Sequence, residues 1–357
     1  MNSINKQPMP LQSEHLESKQ LLAAKLLSFM LTLHKLPPKL FRYLFLMMDR
    51  MLGLKKIAMY QVVDVNIPVS TYNSGATTIK IRTYYPTANQ PSANHSSANQ
   101  SSANQSIAKK PHKTLVYFHG GGCVIGSINT HDRFCRYLAK HGNMNIISVD
   151  YRLSPEYKFP TPICDAIDAW NYINDNSEKL NINPQHIAVG GDSAGAYLAC
   201  LIGLNSLQTE LPVQAKVKPI FQFLIYPMLD LEGTTASYRS FNKHLILTRD
   251  LMDYFRRNYL NSLDEVTLPL VSPLKTSDVS GSPESYILTL GYDPLRDDGI
   301  TYVERLKTAG IKTHHEHYED CMHGFISVTR LSARAKQATH NMAVALNRFN
   351  GFNGFNG

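Results

Sequence analysis

The sequence predicts an α/β protein, with a mostly parallel central sheet flanked by helices. Three observations point there. Short runs rich in β-branched and aromatic residues recur: TLVYF (114–118), NIISV (145–149), IAVGG (187–191), FQFLIY (221–226) and SYILTL (285–290). Segments long enough for a helix separate most of them, as parallel strands covered on both faces require. At 357 residues, 43% of them hydrophobic, the chain is also long enough to enclose a large core.

Taken in order, the chain begins with two apolar stretches. LLAAKLLSFMLTL (21–33) puts Leu22, Leu26, Phe29, Met30 and Leu33 on one helical face, and FRYLFLMMDRML (41–52) is interrupted by Asp49 and Arg50. Neither reaches the roughly 20 apolar residues of a membrane span. The first starts late and lacks an A-x-A cleavage site, so a secretory signal is not expected. Residues 1–60 are expected to form amphipathic helices that pack on the body of a cytoplasmic protein. A weak membrane-surface attachment through the same segment is the lesser reading.

VVDVNIPV (62–69) and TTIKIRTYY (77–85) alternate enough to predict antiparallel strands around a turn at Asn73-Ser74-Gly75. ANQPSANHSSANQSSANQS then repeats a five-residue unit with almost no apolar content, which predicts a flexible low-complexity loop over 87–110. The core is expected to run over 61–230 and resume at 281–348. Between them, 231–280 is longer than one crossover needs; SFNKHLILTRDLMDYFRRNYL (240–260) reads as helical, either a lid or an ordinary packing pair. The tail at 349–357, ending GFNGFNG, is expected to fray.

Charge and cysteine content exclude several functions. The net charge of +8 is concentrated at the start, where residues 1–60 hold nine Lys/Arg against three Asp/Glu. The near-neutral remainder carries no basic stripe interleaved with aromatics, so nucleic acid is not an expected partner. Five cysteines, odd in number and without C-x-x-C spacing, argue against a disulfide framework and a structural zinc site.

VGGDSAGAY (189–197) sets Ser193 between Gly191 and Gly195. This is a glycine-rich turn that happens to hold a serine, or a G-x-S-x-G elbow in which a strained strand-to-helix turn lifts the hydroxyl clear of the backbone. The surrounding IAVGGDSAGAYLACLIGL reads as strand, turn and helix beginning near Ala194, as an elbow requires. His119-Gly120-Gly121-Gly122 directly follows another strand. Such glycines let N–H groups converge on one oxygen and, with the N–H of Ala194, form an oxyanion hole. A phosphate cradle is the other reading, but no Gly-Lys-Ser/Thr follows. Asp293 stands just past a strand end, where functional groups collect in open α/β sheets. Asp297 and Asp298 are rivals expected to be solvated. EHYEDCMHGF (316–325) carries His323 after the last strand, while the nearby His314-His315-Glu316-His317 lacks a third ligand at metal spacing.

In chain order these are HGGG, Ser193, Asp293 and His323, the order of an α/β-hydrolase. HGGG (119–122), YRLSPE (151–156), GDSAG (191–195), DPLRDDG (293–299) and HGF (323–325) together resemble the hormone-sensitive-lipase family of esterases, the bacterial family IV lipolytic enzymes, over roughly residues 60–348. The resemblance implies the α/β-hydrolase fold with a helical cap formed by the N-terminal segment (1–60) and the inserted helices (231–280), and a serine carboxylic ester hydrolase acting on short- to medium-chain acyl esters. It assigns Ser193 as nucleophile, Asp293 as acid and His323 as base, with oxyanion donors Gly121, Gly122 and Ala194. His119, Gly120 and Asp192 support the motifs. No cofactor or metal is expected, the partner is a small-molecule ester, and a homodimer is left open. An amide hydrolase or deacetylase of the same fold, a long-chain lipase and a non-catalytic ligand-binding homologue are the alternatives. Cys123, where an aromatic is frequent, and Asp320-Cys321, where Gly-Met is frequent, depart from the pattern.

Overall fold

The computed structural model describes residues 36–70, 77–87, 113–241 and 245–348. The 21–33 stretch, the turn at 73–75, nearly all of the 87–110 loop and the 349–357 tail lie outside them.

Eight strands form one sheet: β1 (Gln61–Pro68), β2 (Thr78–Tyr85), β3 (Thr114–Phe118), β4 (Asn145–Asp150), β5 (Ile187–Asp192), β6 (Phe221–Ile225), β7 (Glu284–Tyr292) and β8 (Thr313–Met322). Their spatial order is β1-β2-β4-β3-β5-β6-β7-β8. The β1–β2 and β2–β4 pairs are antiparallel and all others parallel. The interior strands are apolar on both sides. Val116 and Phe118 of β3 join one core cluster and Leu115 and Tyr117 the opposite one; Leu224 and Phe223 of β6 divide the same way. A sheet buried on both faces explains why these strands read as continuous apolar runs.

Helices cover both faces: α1 (Pro38–Leu52), α2 (Asp132–Gly142), α3 (Thr161–Asp175), α4 (Ala194–Gly203), α5 (Ala236–Ser240), α6 (Arg249–Tyr259), α7 (Arg296–Thr308) and α8 (Ala333–Arg348). None described is long and apolar enough to cross a membrane. The chain end of α1 is tied down through its carbonyls, the groups a helix C-terminus leaves unpaired. Arg133 donates to the Asp49 and Arg50 carbonyls, and Arg330 to that of Met51.

The 231–280 segment is less helical than its sequence suggests. The side chain of Thr248 caps α6 by accepting the Leu251 N–H, so that helix starts at Arg249 and runs to Tyr259. The rest contributes the five-residue α5, short 3₁₀ turns at 263–267 and 273–275, and loop. EHYEDCMHGF also differs from expectation: most of it lies inside β8, leaving His323 as the first residue beyond the strand.

The last strand pair holds an irregularity that bears on the site. From Ser285↔Thr313 to Leu290↔Tyr318 the register is constant, and after Gly291 it slips, so that Tyr292 pairs with Met322 instead of Asp320. Gly291 is needed there, because a Cβ on it would collide with the Glu319 carbonyl.

Candidate active site

Four functional segments begin at the residue after a parallel strand. His119 follows β3, Ser193 follows β5, Asp293 follows β7 and His323 follows β8. Open α/β sheets gather ligands at these carboxyl ends, and here adjacent strands bring distant parts of the chain together there.

Ser193 sits at a strained turn, with φ 54° and ψ −116°. Its N–H donates to the Ile225 carbonyl and its own carbonyl accepts from Met228 and Tyr197, which fixes the turn from both sides. The flanking glycines are required by packing. A Cβ on Gly195 would collide with the Phe118 carbonyl, and one on Gly191 with the backbone of both Gly195 and Phe118. Only glycine lets α4 start this close to β3.

The structure brings three of the singled-out side chains into one line. His323 Nε2 lies 3.0 Å from Ser193 Oγ, and His323 Nδ1 lies 2.8 Å from Asp293 Oδ2. The other Asp293 oxygen accepts the Leu295 N–H at 2.8 Å, holding the carboxylate still. All three residues are buried. Asp297 instead accepts the Ser237 N–H at the start of α5. Asp298 corrects the expectation of a solvated side chain: it is buried, and its carboxyl is pushed well up by burial and by the neighbouring carboxylates of Asp230 and Asp293. Neither competes for the imidazole.

Gly121 and Gly122 adopt left-handed φ values of 114° and 61°. The N–H groups of Gly121, Gly122 and Ala194 donate to no other described residue, so three amides stay free for a ligand oxygen. The preceding N–H, on Gly120, donates to Asp192 Oδ1 at 2.9 Å. The same oxygen accepts the Tyr117 hydroxyl at 2.6 Å and faces His131 Nε2 at 3.2 Å. Burial works to raise the Asp192 carboxyl, but His131 and Tyr117 outweigh it and hold the group below the ordinary carboxylate range. His119 is stacked on Tyr151 with ring centroids 4.3 Å apart and pushed down to about 3, first by burial and then by the charge of His131. Because a carbonyl can only accept, the His119 Nδ1–H donates to that of Gly120 at 2.8 Å, which sets the tautomer of the neutral ring.

A cavity of about 70 Å³ opens on Ser193 and His323. Its apolar wall combines Phe45 and Met48 of α1, Ile246 and Leu247, and Leu251 and Phe255 of α6.

The residues that depart from the family pattern lie off this line. Cys123 is buried in the core with its thiol pushed up by burial, and Cys321 is buried on the opposite face. Asp320 pairs with Arg334 at 2.7 Å. His315 and His317 both bond Thr289 of β7, and no group of His, Cys, Asp or Glu among the described residues could hold a metal ion.

Three neighbours of the site escaped sequence reading. Tyr226 follows β6 as Ser193 follows β5, and its ring lies 4.5 Å from that of His323; position after a strand was the available signal. His131 and Phe255 stand in no motif.

Known proteins share this fold. Residues 115–327 match the family described as alpha/beta hydrolase fold. The carboxylesterase NlhH of Mycobacterium tuberculosis is 31% identical over 277 residues, 77% of this chain and 79% of that protein. The carboxylic ester hydrolase LipN of the same organism is 32% identical over 234 residues, 65% of this chain; the match spans only 62% of LipN. Among solved structures, the ester hydrolase EH1AB1 from the Lake Arreo metagenome superposes with a TM-score of 0.80 at 33% identity, covering 93% of this chain and 98% of that one.

Proposed function

The chain belongs to the alpha/beta hydrolase family, in its hormone-sensitive-lipase branch, and from that footing we propose that it is a serine hydrolase of carboxylic esters with short to medium acyl chains. The observation that carries the reading is the Ser193–His323–Asp293 line, with contacts of 3.0 and 2.8 Å, set beside three undonated amides.

In this reading His323 Nε2 takes the Ser193 proton as Oγ attacks the ester carbonyl. Asp293 keeps the Nδ1 proton in place and stabilises the imidazolium without itself becoming protonated. The carbonyl oxygen becomes an oxyanion held by the N–H groups of Gly121, Gly122 and Ala194, each worth about 2.7–4 kcal/mol in the transition state. Collapse of this intermediate breaks the ester C–O bond, and His323 hands its proton to the departing alcohol. Water then attacks the acyl-enzyme by the same route, releasing the acid and restoring Ser193. In this reading α1 and the 245–260 stretch act as the cap. Their apolar side chains shape a cavity small beside the roughly 300–1,000 Å³ of drug-sized pockets, which favours short acyl groups.

Initial rates on p-nitrophenyl esters from acetate to palmitate, measured for the wild type and Ser193→Ala, test the reading. A maximum at short acyl groups that vanishes in the variant is expected. A maximum at palmitate would make it a lipase, faster turnover of matched amides an amidase, and near-full activity in Ser193→Ala would overturn the mechanism. A weak membrane-surface contact through residues 1–60 is a second reading, favoured by the exposed Leu40, Tyr43 and Met51 of α1. Co-sedimentation with anionic vesicles tests it.

A further inference from the structure

We propose that His131, held as an imidazolium, is a positioning residue for the oxyanion site: it anchors the Asp192 carboxylate from which the Gly120–Gly122 backbone hangs. The inference rests on the serine-hydrolase reading and assigns a role to a side chain outside the Ser–His–Asp line.

The hydrogen bonds set the protonation of this ring. Thr130 Oγ1 donates its single hydrogen to the Ser127 carbonyl at 2.8 Å and accepts the Ser127 N–H at 2.9 Å. Toward His131 Nδ1, 2.9 Å away, it can therefore only accept, so Nδ1 carries a proton. On the other side, Nε2 faces Asp192 Oδ1, which already accepts from Tyr117 and Gly120. An ionised carboxylate has no hydrogen to give, so Nε2 is protonated as well. A histidine that donates from both nitrogens is a cation.

That cation stands in an unfavourable place. His131 is buried and immediately precedes α2, whose N-terminal field disfavours positive charge. It is flanked by two carboxylates, Asp192 at the end of β5 and Asp49 on α1. The remaining groups facing it are neutral: His119, whose ring stacks on it at 5.6 Å, and Tyr117 of β3. The charge is thus held by the element that carries the nucleophile and by the helix that walls the cavity.

Asp192 transmits the effect. It lies between Gly191 and Ser193 in sequence, yet its carboxylate reaches across to the Gly120 N–H. With His131 neutral, Asp192 would be a buried charge lacking its cation. It would take up a proton or turn toward other donors, and either change weakens the bond that sets the Gly121 and Gly122 amides. A shift there costs the transition state more than the ground state, because the amides meet full negative charge only in the former.

The full-length protein and its His131→Gln variant test this. For p-nitrophenyl butyrate, kcat should fall by roughly 10–100-fold with KM changed by less than about threefold. Affinity for a trifluoromethyl ketone, which forms an oxyanion on Ser193, should fall by the same factor as kcat/KM, while affinity for the corresponding alcohol stays put. A variant with kcat within twofold of wild type, or one that loses both ligands equally, would overturn the inference. Should the variant not fold, long-range ¹⁵N–¹H histidine spectra of the wild type decide: a ring protonated at both nitrogens at pH 7.5 is expected, and its absence overturns the proposal. A wild type that neither hydrolyses esters nor reacts with a fluorophosphonate would instead remove the underlying ester-hydrolase reading.

Discussion

Phe255 stands directly over Gly122: a Cβ at position 122 would run into its ring. The ring also lines the cavity beside Ser193, so α6 sets how much room the acyl chain has next to the amides. Phe255→Ala should shift the chain-length optimum upward, raising the octanoate-to-acetate ratio of kcat/KM by about tenfold, in line with the value of one or two further buried methylenes. An unchanged ratio would place the acyl group elsewhere.

Gly195 admits no side chain, because a Cβ would overlap the Phe118 carbonyl. Gly195→Ala should therefore destabilise the fold by about 3 kcal/mol, the upper end of what forced overpacking costs. Thermal melts beside Ser193→Ala, which should melt like the wild type, would separate packing from chemistry.

Asp293→Asn keeps the shape of the carboxylate but removes the charge facing His323 Nδ1. The expected outcome is a loss in kcat on the order of 10³–10⁴-fold with little change in KM. A loss below tenfold would point to another acid, with the buried Asp298 the first to examine.

Asp49 gives a stability prediction with a definite sign. Burial raises its carboxyl to about 6 against the opposing charges of His131 and Arg133, and its Oδ2 has no partner among the described residues. The folded protein keeps this proton up to about pH 6 while the unfolded chain releases it near 3.8. Stability should therefore decline as pH rises through that window. The full shift corresponds to at most about 3 kcal/mol. Asp49→Asn should flatten this part of the curve of melting temperature against pH and raise stability at pH 7.5; a steeper curve would contradict it.

That Ser193, Asp293 and His323 come together was legible because each sits in a short motif just past a strand. Strand positions were legible for a related reason, since burial on both faces leaves uninterrupted apolar runs such as Thr114–Phe118. What pattern does not carry is direction across the fold. Asp297-Asp298 reads as solvated charge, yet α7 turns Asp298 into the interior, where the Asp230 N–H meets it. The 240–260 stretch has helical composition throughout, but the cap at Thr248 decides where α6 begins. His131 looks like any histidine before a helix until the fold sets it against Asp192. The strand order is likewise silent in the sequence, because β4 slips between β2 and β3 through contacts among distant segments.

The slip after Gly291 makes the edge of the sheet a ruler for the proton path. Had the spacing of the first six pairs continued, the carboxylate at 293 would lie abreast of Cys321, and the imidazole would overshoot it by two positions. The additional length in β8 cancels that offset and brings Asp293 level with His323. Excising Glu319 and Asp320 from β8 would leave every reacting group in the chain and a strand still able to pair, yet strand the imidazole out of step with its carboxylate.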